Sequence, residues 1–211
     1  MKVLVACEFS GIVRDAFIAR GHNAISCDLL PTERPGPHYQ GDVFDIIDDG
    51  FDLMIAHPPC TYLSNSGVRW FSTDPSRMGK MRQGAKFFLK ILNAKIKKKC
   101  VENPIMHGYA KKIIKVKYNQ IVQPYWFGDS VQKSTCLWLE NLPELVPTNV
   151  VDRGMIYVDP RGNKHGCEFT NRAKKSYSPL MLLPKSEDRG KIRSRTFQGI
   201  ADAMAEQWGS L

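Results

Sequence analysis

Cys60 stands in the run His57-Pro58-Pro59-Cys60-Thr61-Tyr62-Leu63-Ser64, directly after an apolar stretch, Phe51 to Ala56, that reads as a buried parallel strand. Two prolines stop such a strand. Neither donates a ladder hydrogen bond and each fixes its own φ, so the next side chain is held at the carboxyl edge of the sheet. In an open α/β sheet that edge is where ligands bind, which makes Cys60 a candidate nucleophile on a stiff support. The competing reading is a small buried thiol at a strand end. A second strand-like segment, Lys99-Cys100-Val101, runs into Glu102-Asn103-Pro104. Two strand ends therefore carry a thiol and a carboxylate.

The elements that must position them follow from the rest of the pattern. The chain opens with a strand, Val3 to Cys7, a turn, Glu8-Phe9-Ser10-Gly11, and a helical pattern, Ile12 to Arg20, closed by Gly21. A small residue at the start of a helix lets a cofactor approach the backbone and the helix N-terminus. The next strand, Ala24 to Cys27, ends on Asp28, where an acidic side chain can hold ribose hydroxyls or simply cap a loop. Gly41-Asp42-Val43 alone reads as a turn. The longest helix is expected over about Ser76 to Ala94, with Met81, Ala85, Phe88, Leu89 and Leu92 on its buried face. A further helix is expected over Met106 to Val116, then a hairpin of Ile121 to Phe127 with Thr135 to Leu139. His57 should point away from the face of its neighbours and play a structural part. Trp70, Trp126 and Trp138 read as core fillers before base-stacking residues.

Taken in order, these segments resemble the DNA cytosine-5 methyltransferase family, in a short form of the kind carried by phages. Phe9-Ser10-Gly11 resembles its first motif, with Val13 and Arg14 where further glycines are usual; Asp28 resembles the acidic residue of the second and Gly41-Asp42-Val43 the third. Pro58-Pro59-Cys60 with Ser64 resembles the nucleophile loop, and Glu102-Asn103-Pro104 the Glu-Asn-Val motif. Phe127-Gly128 followed by Gln132-Lys133 is similar to the Gln-x-Arg-x-Arg segment, with Ser134 and Cys136 in place of the arginines, so Lys133 is the candidate contact to the target nucleotide. Gln198-Gly199-Ile200-Ala201 is similar to the closing motif.

The resemblance implies an α/β fold, a Rossmann-like S-adenosylmethionine-dependent methyltransferase sheet of about six or seven strands with helices on both faces. It implies methyl transfer to C5 of cytosine in DNA, with Cys60 adding at C6 and Glu102 orienting the base. S-adenosylmethionine would be held by Glu8, Phe9, Ser10, Gly11, Asp28, Asp42 and Pro58, with no metal. The alternatives are an enzyme that modifies cytosine nucleotides or uses a modified methionine donor, and a DNA-binding relative without catalysis.

Composition bounds these expectations. The 211 residues are 43% hydrophobic, enough for one substantial domain and a real core. No apolar run approaches the roughly 20 residues of a membrane span, and there is no signal-peptide layout, so a cytoplasmic protein is expected. The 6 Cys are scattered without CxxC pairs, against a zinc module or disulfide framework. The formal charge of +9 fits a polyanion partner, DNA as a duplex with a flipped cytosine or as a single strand. A protein partner or homo-oligomer is a further expectation. Residues 1–145 read as the catalytic domain and 196–211 as a C-terminal helix returning to it. Residues 146–195 read as a short, basic, loop-rich segment in place of a target-recognition domain. Nucleic-acid contacts are expected from Ser64, Lys133, Arg161, Lys164, Arg172, Lys174 and Lys175.

Overall fold

A computed structural model describes residues 1–68, 70–158, 161–166 and 176–211. Its main sheet contains β1 (Lys2–Ala6), β2 (Asn23–Asp28), β3 (His38–Gln40), β4 (Leu53–Ala56), β5 (Lys98–Pro104), β6 (Gln120–Val122) and β7 (Thr135–Glu140). The 7 strands lie in the order β3-β2-β1-β4-β5-β7-β6. All pairs are parallel except those made by β7, which runs antiparallel to both β5 and β6. This is a Rossmann-like α/β sheet with helices on both faces, as the sequence implied. The chain leaves β1 toward β2 on one side and returns to β4 on the other. That reversal opens a crevice at the carboxyl ends of β1 and β4.

Helices cover both faces, which explains why the central strands read as continuous apolar runs. Alternate residues divide between two cores: Val3, Val5, Leu53 and Ile55 face one, Leu4, Ala6, Met54 and Ala56 the other. The first core is closed by α1 (Ile12–Ile18) and α6 (Gln198–Gly209), through Phe17, Ile200, Met204 and the fully buried Trp208. The second is closed by α3 (Ser76–Leu92) and α4 (Gly108–Ile114), through Met81, Ala85, Phe88 and Ile114. Two short helices, α2 (Asn65–Val68) and α5 (Arg189–Ser194), complete the set. No described helix is long and apolar enough to cross a membrane.

The expected elements appear with local differences. The C-terminal boundary of α3 falls at Leu92, and α4 begins only at Gly108, because Met106 is occupied in a bridge with Ser64. β5 does not stop before Glu102: β7 pairs with it as far as Pro104, opposite Thr135, whereas β4 pairs only to Val101. Pro124 opens a tight turn over Pro124–Trp126 and keeps Phe127 out of the late hairpin. The segment 146–195 is not only loop. It contains a small antiparallel sheet, β10-β8-β9, made of β8 (Ile156–Val158), β9 (Lys164–Gly166) and β10 (Ser176–Tyr177). Strands of two or three residues are too short to register as a period of two in sequence.

Candidate active site

The two prolines act as the sequence predicted. His57 N–H makes the last bond to β1, donating to the Ala6 carbonyl at 2.9 Å, and the chain then leaves the sheet through Pro58 and Pro59. The Cys60 carbonyl accepts from both Leu63 N–H and Ser64 N–H at 3.0 Å, closing a tight turn around the thiol. Asn103, fully buried in β5, donates from Nδ2 to the Pro58 carbonyl at 3.0 Å. His107 N–H donates to the Leu63 carbonyl at 3.0 Å, and its Nε2 lies 2.9 Å from the Tyr62 carbonyl. The loop that carries Cys60 is therefore stitched to the segment that follows β5, and Cys60 is held half-buried within it.

Glu102 lies one step beyond the end of the β4–β5 pairing, beside His57. Their side chains share the face of α1 and α6, as alternation from Ile55 and Cys100 requires. His57 Nδ1 is 3.0 Å from Glu102 Oε2, the imidazole donating. Burial pushes the Glu102 carboxyl up, but the His57 hydrogen bond and the charges of Lys133 and His57 outweigh it and hold the group below the usual carboxylate range. His57 Nε2 and Asn103 Oδ1, also buried, have no partner among the described residues. Two unmet polar atoms thus flank the Cys60–Glu102 pair.

The thiols separate by environment. Cys27, Cys100 and Cys136 are buried in the sheet, and burial pushes Cys27 and Cys136 up to about 11. Cys7 is raised by burial and then by the charges of Asp28, Cys27 and Asp42. Cys60 is also raised, by burial first and then by Glu102, but Lys133 and Arg193 act in the opposite direction. Among these, Cys60 is the half-buried thiol whose anion has cations to stabilise it.

Lys133 sits in the β6–β7 connection, fixed at its backbone by Gln123, whose Oε1 accepts Lys133 N–H at 3.1 Å and whose Nε2 donates to Ser134 Oγ at 2.7 Å. Its Nζ donates to the Arg193 carbonyl at 3.0 Å and lies 5.6 Å from the Phe197 ring centre. From there the chain crosses toward β2, where Arg195 Nη2 pairs with Glu33 Oε1 at 2.7 Å. Sequence analysis gave Arg193 no role at the thiol, because a basic cluster does not show which of its members comes near Cys60. The His57–Glu102 pair follows from the β4–β5 register, which extended by one residue beyond Ala56 and Val101 makes them neighbours and which neither strand's own sequence sets.

Across the crevice, the turn after β1 bends through two left-handed residues, Cys7 (φ 57°) and Gly11 (φ 73°). Glu8 is buried, and its Oε1 accepts from Val13 N–H at 2.8 Å and Ser10 Oγ at 3.0 Å, so this carboxylate caps α1. The half-buried Phe9 accepts at its carbonyl from Glu33 N–H at 2.8 Å. Asp28 Oδ1 accepts from Leu30 N–H at 2.9 Å, and Asp42 Oδ1 from Phe44 N–H at 3.0 Å. Both acids act on Cys7, so the ends of β1 and β2 and the turn after β3 converge. Leu29, 73% exposed, stands next to Asp28.

Arg14 is the residue here that sequence reasoning passed over. Its side chain is fully buried, Nη2 donating to the carbonyls of Arg34 (3.1 Å) and Pro35 (3.2 Å), Nη1 to Ser26 Oγ and Thr32 Oγ1 (both 3.2 Å), and Nε to Asp15 Oδ1 (2.8 Å). It fills the cradle beside Gly11, where an added Cβ would stand 2.5 Å from Nη2. The guanidinium therefore ties the loop after β2 to α1. Pro58 is buried, and Ser64 is buried at the bridge to Met106. Arg161, in the turn before β9, and Lys164, in β9, are exposed, while Arg172, Lys174 and Lys175 lie outside the described residues.

No family model matches the chain, and no curated protein matches it. Among solved structures, it is similar to a prophage-encoded E. coli chain described as a DNA modification methyltransferase. That likeness has 16% identity and a TM-score of 0.43, over 72% of this chain and 52% of the other. The chain spans about half of that neighbour's length.

Proposed function

We propose that the protein transfers a methyl group from S-adenosylmethionine to C5 of cytosine in DNA through a covalent adduct at Cys60. The observation that carries this reading is the pairing of Cys60 with Glu102 at adjacent strand ends, across a crevice from Gly11 after β1, Asp28 at the end of β2 and Asp42 after β3. The donor set suits a nucleoside: carboxylates for hydroxyl or amine hydrogens, with exposed apolar surface at Leu29 beside them. When bound, the cofactor would supply an electrophilic methyl group. Asp28 and Asp42 would orient its nucleoside beside the turn after β1.

Cys60 must first give its proton to water, against burial and Glu102, with Lys133 and Arg193 favouring the anion. The thiolate then adds to C6, and the displaced ring electrons make C5 enamine-like and nucleophilic. Glu102, held by His57, accepts from the exocyclic amine, and as charge builds at N3 a proton taken up from water is shared between N3 and the Glu102 carboxyl. After C5 takes the methyl group, its proton leaves to water, the electron pair expels the thiolate, and N3 gives back its proton. Sulfur is restored and one C–H bond has been exchanged for one C–C bond.

An oligonucleotide carrying 5-fluorocytosine tests this, because fluorine at C5 cannot leave as a proton. With S-adenosylmethionine the expected product is a covalent complex that maps to Cys60, carries one methyl group and is absent in Cys60→Ser. Cofactor binding without any adduct on single- or double-stranded DNA would overturn the reading.

A further inference from the structure

The nucleophile loop is flanked by a surface that its chemistry does not use. Tyr62, two residues after Cys60, has the guanidinium of Arg77 4.8 Å and the ammonium of Lys80 5.8 Å from its ring centre. His107, which holds the Tyr62 carbonyl, packs edge-on against Phe71 with ring centres 5.2 Å apart. Phe71 in turn lies 6.1 Å from Tyr109 at a tilt of 30°, near enough to parallel that the two rings form a platform. Tyr109 is 52% exposed and Trp70, next to Phe71, is 47% exposed. On α4, Lys111 and Lys112 are exposed two and three positions after Tyr109.

Aromatic rings open to solvent, with cations over Tyr62 two residues from Cys60 and further cations on α4, have the make-up of a stacking platform on a polyanion track. Unpaired bases offer π-faces to such rings. Paired bases keep theirs inside the stack and present phosphates and groove edges instead. We propose that this face binds single-stranded DNA, with bases stacked on Trp70 and Tyr109 and phosphates met by Arg77, Lys80 and Lys112. It rests on the proposed methyl transfer and names the strand class for that site: a cytosine already unstacked reaches Cys60 without the few kcal/mol of flipping from a duplex.

The test is fluorescence anisotropy with dye-labelled oligo(dT), which contains no cytosine and so reports binding apart from the reaction at Cys60. The protein should bind oligo(dT) at least tenfold more tightly than a duplex of equal length. Trp70→Ala and Tyr109→Ala should each weaken single-strand binding by about tenfold, the usual weight of one stacked base, while Trp70→Phe keeps most of it. Both positions are exposed, and unchanged thermal melting of the variants would confirm intact folding. Equal or tighter duplex binding, or unaltered affinity in both alanine variants, overturns the proposal. So does a self-associating protein whose dimer is broken by Trp70→Ala with oligo(dT) affinity unchanged. Loss of the 5-fluorocytosine adduct with oligo(dT) binding retained would instead count against methyl transfer alone.

Discussion

At the scale of single residues, the site sets two charges against each other. Burial and Glu102 push the Cys60 thiol above its ordinary value, and Lys133 and Arg193 pull it back. Alkylation of Cys60 by iodoacetamide should therefore be slow at neutral pH and still rising at pH about 9, since the thiolate is the reacting species. Lys133→Met should slow it further at neutral pH and shift the rise to higher pH, measured by mass spectrometry of the Cys60 peptide. Glu102 has the opposite shift. Its folded carboxyl lies below the unfolded one, so the stability it contributes is present above the unfolded value, roughly pH 4.3, and is lost as pH falls through the folded one. The stability gap between wild type and Glu102→Gln should close on acidification below that point, as read by denaturant titration at successive pH values. In His57→Phe, burial is no longer opposed by the imidazole and the Glu102 carboxyl should move up, visible by carbon NMR of the labelled side chain. We expect kcat to fall by about 100-fold, the usual weight of a positioned acid–base group.

At the scale of elements, the sheet is fixed by contacts that cross the sequence. Arg14 ties α1 to the loop after β2, and its removal would leave the carbonyls of Arg34 and Pro35 facing an empty cradle. Arg14→Met should cost about 3 kcal/mol, at the lower end for a broken buried charge because Asp15 retains access to water. It should also weaken cofactor binding, measured by calorimetry. Gly199 is the second such position. A Cβ there would run into the Phe127 carbonyl and crowd Asp129, whose Oδ2 accepts Gly199 N–H at 3.1 Å and caps α6. Gly199→Ala should destabilise by about 1–3 kcal/mol, seen as a lower Tm. Elements with long periodic faces were legible before folding: α3 shows its buried Met81, Ala85 and Phe88 at helical spacing, and β4 its unbroken apolar run. The second sheet was not, because strands this short are defined by the residues opposite them.

At the scale of the whole molecule, the formal charge of +9 makes binding to a polyanion sensitive to salt. Affinity for oligo(dT) should fall linearly in log–log form as salt rises. Lys112→Gln should reduce the slope by about 0.7 if that side chain neutralises one phosphate of a single strand. The basic residues do not act alike. Lys133 and Arg193 act on the thiol, Lys111 and Lys112 are exposed on α4, and Arg14 is wholly internal. Composition reports their sum and not their places.

What the sequence alone determined is local and stiff. The double proline set Cys60 at a strand end, the apolar runs made parallel strands buried on both faces, and the order of motifs implied the sheet that formed. What only tertiary structure decided depends on residues far apart in the chain. His57 meets Glu102 across 45 residues, Arg14 reaches carbonyls 20 and 21 positions on, and Arg193 comes within reach of Cys60 from the C-terminal segment. A side chain's local pattern fixes the direction in which it leaves the backbone. Its hydrogen-bond partners and its pKa depend on which strands lie beside it, and that is settled only when the sheet closes.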